Sequence, residues 1–207
     1  MYTMKKIGLF CFILCLSIEY AVTQDDDERG GHAVKRIEYN MDGSFHALYG
    51  KIGAEKRLLD KINAPVEFFF CTLYEVPTNP EAFRIMRDSS NSFYILNYNR
   101  YKDIKKDNDI VSRTFVISDQ FANLMYKKMV SLIDNFNAQG KFRDSWVHGF
   151  SVTFRVVVED AVWALQIHMP SGKAEKMSNL CRLILKNAED NKLDEAKYIK
   201  ILDEFDF

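Results

Sequence analysis

Hydrophobic positions along the chain recur with two periods, and the change from one to the other marks the elements. Between Phe150 and Val158, the residues Phe150, Val152, Phe154, Val156 and Val158 alternate with Ser151, Thr153, Arg155 and Val157. A period of two sorts side chains onto opposite faces of a strand. After Glu159-Asp160 the alternation resumes, with Trp163, Leu165 and Ile167 on one face and Val162, Ala164, Gln166 and His168 on the other. The pattern therefore predicts a hairpin, ended by Pro170-Ser171-Gly172. Its turn lacks the Asn-Gly or Asp-Gly signature that would fix the turn type.

Further strands are expected over Val66 to Cys71, Phe83 to Arg87 and Phe93 to Tyr98, separated by Pro77-Thr78-Asn79-Pro80 and Asp88-Ser89-Ser90-Asn91-Ser92. Short apolar runs bounded by such turn residues read as an antiparallel meander. Ala33 to Tyr39 and Thr114 to Ile117 are candidates for short strands, and the polar stretch Arg100 to Arg113 is expected to be a loop with a ragged edge.

The helical period appears first over Ala54 to Ile62, which Pro65 stops by disfavouring α geometry in the residue before it. The clearest helix starts at Ser118, an N-cap residue followed by Asp119 at the positive end of the dipole. Phe121, Leu124, Met125, Met129, Leu132, Ile133 and Phe136 form its apolar stripe, and Gly140 is the expected C-terminal stop. A second stripe holds Met177, Leu180, Cys181, Ile184, Leu185 and Ala188, and a last short helix covers about Leu193 to Glu204. Strands that gather in hairpins, with helices set apart, predict an α+β fold: an antiparallel sheet of about five strands with helices packed on one face.

The N-terminus alters this picture. Lys5 and Lys6 precede an unbroken apolar run from Ile7 to Ile18. That run falls short of the ~20 residues a membrane-spanning helix needs and fits the core of a signal peptide. Residues 1–23 are expected to be that signal, 24–44 a flexible acidic segment opened by Asp25-Asp26-Asp27-Glu28, and 45–207 a single domain. Lipid attachment at Cys15 fits less well, because Phe12-Ile13-Leu14 precedes it where a small residue is the rule. The expected location is therefore periplasmic or secreted, with no membrane span once the signal is removed.

Composition excludes some classes of function. A net charge of −1 provides no field to draw in nucleic acid. No phosphate loop, dinucleotide fingerprint or His-Glu-x-x-His is present, and once Cys11 and Cys15 leave with the signal no Cys or His pair has metal-ligand spacing, so neither a metal nor another cofactor is expected. Signal removal leaves Cys71 and Cys181, which form either one disulfide or two buried thiols; their placement on separate elements favours the thiols.

Two groups of residues carry candidate chemistry. His168, at a strand end beside Pro170, is the one candidate general base, although neither Ser151 nor Ser171 sits in a Gly-x-Ser-x-Gly elbow. Trp163, across from Phe154 or Val156, reads as a core pair. Arg84, Arg87, Tyr94, Tyr98 and Tyr101 are the residue types that dominate binding hot spots, and the meander offers Arg84 and Tyr94 or Tyr98 a shared outward face.

The segments "APVEFFF", "AFRIMRDSSNSFYIL", "VISDQFANLMYKKMVSLIDNF" and "GFSVTFRVVVEDAVWALQIHMPSGKAEKMSNLCRLIL" span Ala64 to Leu185. In them the chain resembles a group of uncharacterised exported α+β proteins of Bacteroides-type bacteria. The resemblance implies a periplasmic or surface protein and assigns no activity to any residue. The expected function is an exported, non-enzymatic binding protein for an unidentified protein partner, an immunity or inhibitor-like role being one version. A small envelope hydrolase using His168 is the alternative, and a structural envelope component with no ligand is a third.

Overall fold

The computed structural model describes residues 33–39, 65–73, 80–88, 90, 92–102, 109–136, 149–159 and 161–207. The signal peptide, the helix over Ala54 to Ile62 and Gly140 lie outside them; of the segment 24–44, expected to be flexible, only 33–39 are described, and they form a strand paired with the sheet. In chain order the elements are β1 (Ala33–Tyr39), β2 (Val66–Leu73), β3 (Glu81–Arg87), β4 (Tyr94–Tyr101), β5 (Ile110–Ile117), α1 (Asp119–Asn135), β6 (Gly149–Val158), β7 (Ala161–His168), α2 (Gly172–Glu189) and α3 (Glu195–Asp203).

Among the described residues, all the strands join one antiparallel sheet in the order β1-β7-β6-β2-β3-β4-β5. The α+β class is the expected one. The sheet is seven strands wide rather than about five, because both short candidates join it as full edge strands. The stretch Arg100 to Arg113, expected as a loop with a ragged edge strand, contributes the end of β4 and the start of β5, with 103–108 outside the described residues. Polar residues of β4 and β5 are compatible with a strand because they pair across the ladder. The Thr114 hydroxyl donates to Asn97 Oδ1 at 2.7 Å, and the Ser112 hydroxyl to Asn99 Oδ1 at 2.6 Å.

The register sets what each face carries. Phe68 stands between Phe83 and Phe154, with ring centroids 5.7 and 5.4 Å away. These rings, with Val66, Ile85, Leu96, Tyr98, Val152, Val156, Leu165 and Ile167, meet the buried stripes of the three described helices in one core. Burying a large apolar side chain contributes about 1.5–3 kcal/mol, so this face is the main source of stability. Val156 lies opposite Trp163, as the alternation suggests.

Caps and turns follow local chemistry. Ser118 accepts from the Phe121 N–H at 3.2 Å and donates to Glu195 Oε2 at 2.6 Å, which ties the start of α1 to the start of α3. Asn187 Nδ2 donates to the Tyr198 hydroxyl at 2.7 Å and links α2 to α3. Helix α1 ends sooner than Gly140 suggests: Phe136 turns extended (φ −70, ψ 118) and is buried, while Asn135 Nδ2 donates to the Ser131 carbonyl at 2.9 Å. The β6–β7 turn is made with Glu159 in the left-handed region at φ 55.

Gly149 opens β6 at φ +105, and a Cβ built there would lie 2.7 Å from Met169 Sδ and 3.2 Å from His168 Cε1. The backbone conformation disfavours any side chain, and the flexible Met169 side chain would also have to move aside. Gly149→Ala is expected to lower unfolding free energy by about 1–3 kcal/mol, measured by urea denaturation, with strand content retained in circular dichroism.

Candidate functional site

His168 ends β7 directly opposite Ser151, and its Nδ1 lies 3.2 Å from the Ser151 hydroxyl. The two are 2% and 5% exposed, so the pair is closed to solvent. It belongs to a polar row on the sheet face away from the helix core. There Glu67 and Arg155 form an ion pair at 3.3 Å that is ionic in distance without hydrogen-bond geometry, and Thr153 stands opposite Gln166. Buried charges of this kind hold only when paired, so removing either member is costly.

The Arg/Tyr set is not one surface. Arg84 pairs with Asn97 and Phe83 with Tyr98, so Arg84 faces the polar side while Tyr94 and Tyr98 face the helices. Tyr98 is buried in the helix-side core, and Tyr101 is buried on the opposite side with Phe69, Cys71 and Ala82. Arg87 and Tyr94 alone come together, with the guanidinium 5.9 Å from the ring centroid. The shared outward face expected for Arg84 with Tyr94 or Tyr98 is therefore replaced by two faces. Cys71 and Cys181 are buried thiols on opposite sides of the sheet, so the candidate disulfide is not formed.

Another place gathers groups of both charges around an open space. A cleft of about 460 Å³ lies between α2 and the ends of β2 and β3, lined among others by Phe70, Glu81, Asn179, Arg182, Lys186 and Glu189. Arg182 sits 4.9 Å from the centroids of both Phe70 and Phe150, whose rings are 5.5 Å apart. A guanidinium over aromatic faces gains from the ring quadrupole while keeping its donors free to bond elsewhere. Arg100, opposite Glu81 in the β3–β4 ladder, pairs with Glu189 of α2.

Glu81 is the unusual group of the cleft. Burial, helped by the nearby Glu189 carboxylate, pushes it up to about 7 against the pull of Arg100 and Arg182. Beside it the Tyr98 hydroxyl is also raised, chiefly by burial and then by Glu81 and Glu189. A second cleft of about 310 Å³, lined by Pro65, Val66, Ile85, Tyr94, Tyr126 and Val157 among others, is more apolar and brings no acid or base together.

The cleft had one trace in the sequence. Asn179, Arg182, Lys186 and Glu189 recur at helical spacing beside the apolar stripe of α2, marking a polar edge. Nothing in the spacing reveals that Phe70, Glu81 and Arg100 stand across from it, because that depends on the strand order. Among the described residues, no three His, Cys, Asp or Glu side chains are grouped to hold a metal ion, and no helix is long and apolar enough to cross a membrane.

A carboxyl with a raised folded value binds a proton that the unfolded chain has already lost between pH 4.5 and about 7. Stability therefore falls as pH rises through that window. Glu81→Gln is expected to flatten this part of the pH–stability curve and to be the more stable form at pH 8, measured as melting temperature from pH 4.5 to 8.

Compared with known families, curated proteins and solved structures, the chain matches none, so the cleft stands on its own geometry.

Proposed function

We propose that the protein is an exported, non-enzymatic binding protein that receives a side chain of a protein partner in the cleft beside α2. The carrying observation is the cleft itself, where Arg182, stacked on Phe70 and Phe150, faces the same open space as Glu81 and Lys186. Arginine and aromatic groups in a partly desolvated pocket are the usual anchors of an interface. A basic partner side chain would find Glu81 at the cleft wall and gain most once that carboxyl is ionised, so binding strengthens as pH rises through 7. Acidic groups of the same partner would meet Arg182 and Lys186. Export is supported by the Lys5-Lys6 and Ile7 to Ile18 pattern.

A hydrolase is the second reading, favoured by the 3.2 Å Ser151–His168 contact. Against it stands the burial of both residues, since a nucleophile must be reached by its substrate.

Affinity capture from envelope and culture fractions tests the first reading. A protein retained by wild type and by Lys127→Ala is expected to bind Arg182→Glu about 30-fold or more weakly in a direct titration. Equal capture by all three proteins, or by none, removes the cleft from the account. A fluorophosphonate probe is expected to leave Ser151 unlabelled. Labelling that disappears in His168→Ala would install the hydrolase instead.

A further inference from the structure

The charges around the cleft are divided between its walls. Arg182 and Lys186, one helical turn apart on α2, are exposed on one side, and Glu81 is half-buried on the strand side. Arg100 and Glu189 satisfy each other. Among the described residues, the side chains of Arg182, Lys186 and Glu81 make no hydrogen bond or ion pair. The Tyr98 hydroxyl beside Glu81 is buried and likewise has no hydrogen-bond partner. A half-buried carboxyl and a buried hydroxyl left unbonded are costly, which favours a ligand that supplies donors. On the opposite wall, Phe70 and Phe150 hold the Arg182 guanidinium at 4.9 Å from each ring centroid while its N–H groups stay available.

We propose that the partner enters this cleft by a C-terminal lysine, its α-carboxylate on Arg182 and Lys186 and its ammonium on Glu81. The inference rests on the cleft being the binding site and adds which end of the partner it takes. The two ligand charges must lie close together, because Arg182 is near enough to Glu81 to draw on its carboxyl. A chain end carries both charges on one residue. Within an extended segment, successive side chains point to opposite sides, so an acidic and a basic neighbour would send only one into the cleft. The planar guanidinium fork matches a carboxylate through two parallel bonds, and Lys186 adds a second positive charge on the same wall. Phe70 and Leu183, which also line the cleft, offer apolar surface to the lysine stem. Its ammonium brings three donors toward Glu81, beside which the Tyr98 hydroxyl waits without one. A simple anion would use only the α2 wall and face an ionised Glu81 across the cleft.

Fluorescence anisotropy with peptides carrying the dye on their N-terminus tests this. The probes are Gly-Ser-Gly-Lys with a free carboxylate, the same peptide as its C-terminal amide, and the free-carboxylate peptide with norleucine in place of lysine. Wild type is expected to bind the first at least about tenfold more tightly than either of the others, one charge-assisted contact being lost in each. Arg182→Gln is expected to weaken the carboxylate peptide and leave the amide unchanged. Glu81→Gln is expected to weaken the lysine peptide and leave the norleucine peptide unchanged, and Lys127→Ala to bind all three as wild type does. If carboxylate and amide bind alike and Arg182→Gln weakens both, the chain-end mode is overturned and the cleft keeps its role. If the peptides bind and Arg182→Gln affects none of them, both readings fall. Absence of binding by all three overturns the chain-end mode alone, since capture of the partner tests the cleft separately.

Discussion

The β2–β6 ladder is the contact on which the other elements depend. It joins the meander of β2 to β5 to the β6–β7 hairpin, two blocks far apart in the chain. Its register is fixed from both faces at once. On one face Phe68 packs against Phe154; on the other, one residue along, Glu67 meets Arg155. A shift of one position would turn Glu67 into the apolar core and expose the rings to the polar row. Few alternative pairings survive that penalty, so the helices find a single surface on which to pack.

Periodicity made most elements legible because it is written in neighbouring residues. The stripe from Phe121 to Ile133 and the alternation from Phe150 to Val158 each point to their buried face without reference to the rest of the chain. Facing across a turn is different. Whether Arg84 shares a face with Tyr98 depends on the β3–β4 register, which a turn longer or shorter by one residue would invert, and no local pattern states it. The cleft needed still more: the polar edge of α2 was visible, whereas Phe70 and Glu81 reach it only through the strand order. Burial of His168 was equally hidden, since alternation separates the two faces of a strand without saying which is covered.

The two sides of the sheet have different roles. Toward the helices, packing is apolar and non-directional, so it supplies stability. Away from them, Glu67, Arg155, Thr153, Gln166, Ser151 and His168 are buried as well. Polar groups withdrawn from water are costly unless their partners are correctly placed, so such a row penalises misfolded registers more than it strengthens the native one. The Ser151–His168 contact reads most simply as part of that row.

Cys71 and Cys181 divide between these sides. Cys71 lies beneath the polar face with Phe69 and Tyr101, whereas Cys181 is enclosed by the helices, where burial pushes its thiol well up. Each sulfur is inert while its own layer stays shut, and neither can reach the other through the intervening strands. Cys71 and Cys181 are thus natural reporters, and the rates at which an alkylating reagent modifies each of them would time the opening of each layer separately.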